Sequence, residues 1–151
     1  MIDTDIDENS KALLAALKAN ARAKRQVEVT EKIMGQFHCL TLTGKKTENL
    51  HVYINGKYQA NAETIIKGAI ESELGKNANN HEVSEILNRI KRRTYTTADK
   101  FAVPIELINI KNGILNITNR KLQPHSPEVR FTHQLPTTFI QDQDCPNWKK
   151  Y

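Results

Sequence analysis

Apolar residues recur at helical spacing near the start of this 151-residue chain. Their intervals of three and four residues are typical of one face of an α-helix. They are Leu13, Leu14, Leu17 and Ala21. We expect residues 1–8 to form a disordered tail, Asn9 or Ser10 to cap the helix, and a second helical stretch, VTEKIMGQF, to follow and run to about Gly35.

Apolar and polar residues then alternate, which predicts strands over 37–43 and 50–54. The Asn55-Gly56 pair that follows is a strong signal for a β-hairpin, because both central residues of a type I′ turn need a positive φ. This hairpin places Tyr53 opposite Tyr58 on one face.

Helical spacing returns in the middle of the chain and predicts two further helices. We expect Asn61 to cap the first and Gly75 to end it. Its expected buried residues are Ile65, Ile66, Ala69, Ile70 and Leu74. We expect Asn79 to cap the second, with Glu82 completing a capping box. The apolar face of that helix comprises Val83, Ile86, Leu87 and Ile90.

The last third of the chain is predicted to be short strands. IELINI and ILNIT flank Asn112-Gly113 as a second hairpin, NRKLQ is a third strand, and FTHQLPTTFI is a candidate for another. The whole pattern predicts an α+β fold, with β-hairpins flanking a helical pair and an N-terminal helical segment.

Composition and charge narrow the class of protein. Hydrophobic residues make up 38% and charged residues 26%, which is typical of a globular domain, and no apolar run is long enough for a membrane span. The acidic start lacks the pattern of a signal peptide, so we expect a cytoplasmic protein. Cys39 and Cys145 lie in unrelated contexts, and we expect two free thiols rather than a disulfide.

The sequence lacks the motifs of a phosphate-binding loop, an activated nucleophile and a zinc site. TGKKTE is not a phosphate-binding loop, because Cys39 stands at its first glycine position and Lys46 follows Gly44-Lys45. Adjacent strand residues point to opposite faces, so His38 cannot activate Cys39. The histidines lack the spacing of zinc ligands. We therefore expect no enzymatic activity from this chain alone, and no metal or cofactor.

The net charge of +5 is compatible with DNA as a partner, because lysine and arginine displace counterions from phosphates. The candidate contacts are basic residues at a helix end and in the last third, with one tyrosine that could stack on a base. They are Arg89, Lys91, Arg92, Arg93, Tyr95, Lys100, Lys111, Arg120, Lys121 and Arg130. The alternative for each cation is pairing with a helix dipole or surface solubility, and for the tyrosine it is core packing.

An ordered series of short motifs resembles the phage, plasmid and poxvirus primase–helicase family. The run NGILNI begins at Asn112, LQPHSP at Leu122, FTHQLP at Phe131 and CPNW at Cys145. Upstream, HVYINGKY and HEVSEILNRIKRRTYTT are similar to a hairpin and a helix of the same family. Asn116 stands where the family more often has aspartate.

The resemblance implies a domain that precedes a superfamily-3 AAA+ helicase. On this basis we expect an acidic tail and helical segment over 1–36, and the pre-helicase domain over 37–151, which ends where a helicase domain would begin. The implied function is a non-catalytic replication module that links primase and helicase, aids assembly as a possible homo-oligomer, and contacts DNA non-specifically. The helicase domain, in the same chain or another, is the implied protein partner.

Two other functions stay open at this point. One is a pure oligomerisation or linker domain without DNA contact, and the other is a stand-alone DNA-binding regulator from a mobile element. The PHSP segment is expected to be a rigid loop, because proline fixes its own φ and restricts the residue before it. His125 is expected to bond backbone groups there, with contact to DNA or a partner as the alternative.

Overall fold

A single long helix, α1 (Asp3–Gln36), opens the fold in the computed structural model, which describes residues 3–143. It begins inside the predicted tail and runs through the predicted break, so the expected cap at Asn9 or Ser10 is wrong. The physical reason is composition, because residues 3–34 include several alanines and contain neither glycine nor proline. Only its last third joins the core, through Val29 and Ile33. The division of the chain at residue 36 stays a prediction.

A four-stranded sheet, which we call sheet A, lies against the helices. Its strands are β1 (Cys39–Thr43), β2 (Glu48–Ile54), β3 (Lys57–Gln59) and β4 (Tyr95–Thr96), in the order β3-β2-β1-β4. β1, β2 and β3 are antiparallel, whereas β4 pairs with β1 in parallel. The Asn55-Gly56 hairpin is confirmed, with φ of 51° and 86°, and Tyr53 does pair with Tyr58.

Two helices follow β3. They are α2 (Glu63–Leu74) and α3 (Asn80–Arg93), with a 3-10 turn between them. Asn79 caps α3 as predicted, because its Oδ1 accepts a hydrogen bond from the Glu82 backbone N–H at 3.0 Å. The capping box is wrong, because the Glu82 carboxylate bonds Arg22 and Gln26 of α1 instead.

The start of α2 also differs from the prediction. Asn61 has a φ of 56°, and its backbone N–H donates to Asn49 Oδ1 at 3.0 Å, while Ala62 occupies the cap position without a side-chain bond. Asn61 therefore turns the chain ahead of the helix and does not cap it. Gly75 ends α2 as predicted, with a φ of 52°.

The main core lies between one face of sheet A and the three helices. Leu50 and Val52 of β2 are fully buried there. The helices and the cap residue of α2, Ala62, contribute the rest, and these residues are Val29, Ile33, Ala62, Ile66, Ile70, Leu74, Ile86, Leu87 and Ile90. Ile65 is 38% exposed, which corrects its predicted burial. On the other face of sheet A, the rings of His51 and Tyr58 pack against Phe101.

A second, smaller meander, which we call sheet B, follows. It comprises β5 (Leu107–Ile110), β6 (Gly113–Asn116) and β7 (Lys121–Gln123), all antiparallel. The predicted hairpin is confirmed, but Ile110 pairs with Gly113, so the turn residues are Lys111 and Asn112. FTHQLPTTFI forms no strand and contributes one isolated bridge, Ile110 to Leu135.

The α+β prediction is therefore confirmed, with a long N-terminal helix and two small sheets. None of the helices between residues 3 and 143 has the length and hydrophobicity that a membrane span requires. Cys39 is a buried free thiol, and Cys145 lies outside the described residues.

Candidate nucleic-acid interface

Two of the predicted DNA-binding cations at the end of α3 are engaged in ion pairs between helices. Lys91 Nζ contacts the carboxylate of Glu63 in α2, and the Lys91 side chain is only 12% exposed. The hydrogen bond from Lys91 holds the pKa of Glu63 below its usual value. Arg93 contacts Glu31 of α1. Both cations therefore fasten α3 to its neighbours and have little charge to offer a phosphate.

The other two cations of α3 form no ion pair within residues 3–143. Arg92 is exposed and Arg89 is half-buried. Arg92 is close enough to Tyr95 for its charge to act on the phenol. Arg92 is therefore the α3 cation best placed to meet an anion.

Tyr95, the first residue of β4, has a half-exposed side chain at 47%. Its hydroxyl donates to Glu48 Oε1 at 2.6 Å, which fixes the direction of the ring. This hydrogen bond raises the pKa of Tyr95, and the charge of Arg92 opposes the shift. The ring face is available for stacking, whereas the hydroxyl is already committed.

Arg130 and Lys100 approach β4 from the other side. The Arg130 guanidinium donates to the Lys100 carbonyl oxygen at 3.2 Å and lies 3.5 Å from Thr96 Oγ1. The Lys100 side chain is exposed. These two contacts bring together cations that are 30 residues apart in the sequence.

Two lysines that the sequence analysis did not include among the candidate DNA contacts belong to the same region. Lys45 and Lys46 lie in the β1–β2 turn, which a hydrogen bond from the Gly44 N–H to the Thr47 carbonyl closes at 2.8 Å. Because β4 runs parallel to β1, this turn lies just beyond the end of β4. Both lysines are exposed and form no ion pair within the described chain.

We call this group of residues around the edge strand the β4 cluster. It comprises Lys45, Lys46, Arg92, Tyr95, Lys100 and Arg130. Successive residues of a strand point to opposite faces, so Tyr95 and Thr96 lie on opposite sides of the sheet edge. Arg92 is near Tyr95 on one side, and Arg130 is near Thr96 on the other. Glu48 and Asp99 are acidic neighbours of the cluster. The cluster is thus a cationic sheet edge with one aromatic side chain.

The remaining predicted cations lie on sheet B and are not part of this edge. Lys111 occupies the β5–β6 turn, whereas Arg120 and Lys121 stand at the opposite end of β6. Sheet B meets sheet A at the Asn55-Gly56 turn, one full strand length from Lys45-Lys46. The seven residues of β2 span about 23 Å. The structure therefore separates the predicted residues into two groups.

The joint between the two sheets is built largely from residues of the motifs that carry the family resemblance, together with Asn109 of β5. Asn109 Nδ2 donates to the Gly56 and His133 carbonyl oxygens, both at 2.9 Å, and Gln134 Nε2 donates to the Asn55 carbonyl oxygen at 3.1 Å. An added Cβ on Gly56 would lie 2.7 Å from the His125 ring. The hairpin turn is thus enclosed by sheet B.

His125 and the PHSP loop complete this joint. His125 Nε2 lies 2.8 Å from the carbonyl oxygen of Ile110 in β5, so His125 bonds the backbone as expected, but its partner lies in sheet B and not in the PHSP loop. The Tyr58 hydroxyl donates to the Pro127 carbonyl oxygen at 2.8 Å, and its backbone N–H donates to Phe131. These residues therefore join the two sheets, and their hydrogen-bonding groups named here are used within the fold.

Two kinds of side chain in the described residues bear on catalysis: candidate metal ligands and the Cys39 thiol. The part of the chain from 3 to 143 holds no group of three or more histidine, cysteine, aspartate or glutamate side chains able to bind a metal ion. Burial raises the pKa of the Cys39 thiol to about 11, which keeps the thiol protonated and a poor nucleophile.

Comparison with known protein families gives one match. The family described as "D5 N terminal like" matches residues 4–151. A comparison with curated proteins gives no match. The family match covers nearly the whole chain, including α1, sheet A, the helical pair and sheet B.

Proposed function

Because this chain belongs to the D5 N-terminal-like family, we propose that it is a non-catalytic DNA-replication module that links the primase and helicase of a primase–helicase. In this proposal the domain aids assembly and holds DNA through the β4 cluster. The observation that carries the DNA contact is the edge of sheet A, where five cations lie along the two sides of a strand that begins with a half-exposed tyrosine.

The chemistry of the cluster fits the phosphate backbone rather than base edges. Its cations come from a turn, the end of an α-helix, a short 3-10 helix and a loop, so they offer positive charge at the edge of a sheet and no single helix or ribbon that enters a groove. Such contacts position a nucleic acid without reading its sequence. We therefore expect binding that is insensitive to sequence and strongly sensitive to salt.

Tyr95 adds a possible preference for single strands. Stacking of a base on an aromatic ring contributes about 1–3 kcal/mol and requires an unpaired base. The hydrogen bond to Glu48 holds the ring in place before DNA arrives. Single-stranded DNA should consequently bind more tightly than a duplex of the same length.

The test compares two double variants with the same change of charge. Lys45→Gln/Lys46→Gln alters the β4 cluster at a surface turn, and Lys67→Gln/Lys76→Gln alters exposed cations elsewhere. Fluorescence anisotropy with labelled DNA should give a salt slope about 1.8 smaller in magnitude for the first variant on duplex DNA. The control should keep a nearly unchanged slope. Equal slopes for both variants and the wild type would refute the assignment.

A second function, an assembly domain without DNA contact, is favoured by one specific observation. Leu13, Leu14 and Leu17 on α1 are 63%, 53% and 57% exposed, which is unusual for leucines grouped on one helix. Sedimentation that shows an oligomer, together with no anisotropy change at low salt, would support this function over the first.

A further inference from the structure

Residues 7–21 of α1 form no side-chain hydrogen bond or ion pair with another element of the described chain, and the first such contact along the helix is that of Arg22 with Glu82. The helix has 34 residues, which is about 51 Å of length. Side chains from Asp7 to Lys24 are all exposed, and burial begins only near Arg25. A lone helix is marginally stable in water, so a partner would stabilise this segment.

The exposed leucines define one face of that segment, which we call the leucine face. At 100° per residue, Leu13, Leu14 and Leu17 fall within roughly 100° of one another. This face is turned roughly 130° away from Val29 and Ile33, which enter the core. A second helix can therefore approach the leucine face without meeting the body of the domain.

The charges beside the leucine face identify the partner and its direction. Asp7 and Arg25 are 18 residues apart, which is five helical turns, so they lie on the same flank of the helix. Their midpoint is Ala16, beside the leucines. A two-fold axis at that midpoint places Asp7 of one copy opposite Arg25 of the other, twice.

We propose that α1 pairs with α1 of a second copy of this chain in an antiparallel arrangement centred near Ala16. In this pairing Leu17 of each copy falls beside Leu13 and Leu14 of the other. The contact extends over residues 7–25, which is about 27 Å of paired helix. A parallel pairing would instead place the two Asp7 residues at one end of the contact and the two Arg25 residues at the other, so that Asp7 could not pair with Arg25.

The present contacts of these charges are compatible with the proposal. Asp7 pairs with Lys11 of its own helix at 2.5 Å, where both side chains are largely exposed. Arg25 forms no ion pair within the described residues. The pairing specifies the assembly role in the proposed function, and it does not depend on DNA contact.

The direction of pairing is tested by charge reversal on the full chain. Asp7→Arg and Arg25→Asp each place like charges together, so each should weaken the dimer at least about tenfold at low salt, as measured by sedimentation velocity over a concentration series. The double variant Asp7→Arg/Arg25→Asp should restore the wild-type dissociation constant within a few-fold. Failure of the double variant to recover would overturn the antiparallel arrangement.

The leucine face is tested separately. Leu13→Ser/Leu17→Ser should give a monomer of 17.2 kDa where the wild type sediments as a dimer. Circular dichroism of the wild type should gain helix as concentration rises. A wild type that stays monomeric at all concentrations, or a serine variant that still dimerises, would refute the proposal.

These outcomes are distinguishable from those for DNA. Lys45→Gln/Lys46→Gln should leave the dimer unchanged, since both lysines lie in the β1–β2 turn and outside α1. A dimer without DNA binding would refute the DNA contact alone, and DNA binding by a strict monomer would refute the pairing alone.

Discussion

Gly113 occupies a position that no other residue should tolerate. It is the first residue of β6, its φ is 152°, and an added Cβ would lie 2.4 Å from the Gln123 carbonyl oxygen in β7. The same atom would lie 3.0 Å from Leu122 Cδ1. The obstacle is partly backbone, so a side-chain rotation cannot relieve it.

The cost of Gly113→Ala follows from two contributions. A non-glycine residue in this backbone region costs about 1–3 kcal/mol, and forcing an extra carbon into a packed site costs about 1–3 kcal/mol. Alanine also lowers the conformational entropy of the unfolded chain, which stabilises the folded protein by about 0.4–1 kcal/mol. We therefore expect a net loss of about 1–6 kcal/mol in the free energy of unfolding.

Urea denaturation of the wild type, Gly113→Ala and Gly68→Ala measures this loss. Gly68 lies exposed in α2 with nothing within 4 Å of an added Cβ, so alanine there should stabilise the protein by roughly 0.5–1 kcal/mol. The two variants thus make the same chemical change with opposite expected signs. A Gly113→Ala midpoint equal to that of the wild type would refute the close approach of β6 and β7.

Three further predictions concern other parts of the fold. Asn79→Ala should lower the free energy of unfolding by about 1 kcal/mol in urea denaturation, because Asn79 Oδ1 caps α3, and an unchanged value would contradict that cap. In a Cys145→Ser variant, which leaves Cys39 as the one cysteine of the sequence, Cys39 should not react with a thiol reagent at pH 8 until the protein unfolds, because burial raises its pKa to about 11, and rapid labelling of the native variant would contradict this. Folding lowers the pKa of Glu63, so its pairing stabilises the protein at pH values above the usual pKa of 4.5, and this stabilisation is lost as the pH falls through the lowered pKa. Thermal denaturation should therefore show that Glu63→Gln is less stable than the wild type at pH 7 and that the difference shrinks toward pH 3; a difference that does not change with pH would contradict this.

The sequence predicted correctly those turns and helix caps that depend only on neighbouring residues. Asn55-Gly56 formed the expected turn because the positive φ values depend on those two residues alone. Asn79 capped α3 for the same reason. Asn112-Gly113 carried the same turn signal, yet Gly113 lies in the strand, since its need for glycine comes from the later strand β7.

Features that depend on distant residues were not predicted. The pairing of Thr41 with Tyr95 joins strands that are far apart in the sequence, and no pattern within either strand indicates it. This parallel pairing brings Lys45 and Lys46 to β4, so the sequence analysis missed both lysines while it identified Arg92 and Lys100. The ion pair of Lys91 with Glu63 likewise depends on how α2 and α3 pack.

The resemblance and the physical analysis of the sequence contributed different things. The motifs identified the family, and the structure places many of their residues in the joint between the sheets, where Gln134 and His125 bond backbone carbonyls. Their pattern therefore reflects the requirements of folding. The residues proposed to meet DNA lie at the edge of sheet A, and Lys45 and Lys46 among them are one strand length from the Asn55-Gly56 turn of that joint.

The most direct test of the proposed DNA contact is fluorescence anisotropy of labelled single- and double-stranded DNA, titrated with the full chain across a salt series. We predict binding at low salt that is independent of sequence, with a slope of log Kobs against log salt no steeper than about −4.5 on duplex DNA for five cations. Absence of binding to either form at low salt would contradict the proposal, and the β4 cluster would then be ordinary surface charge.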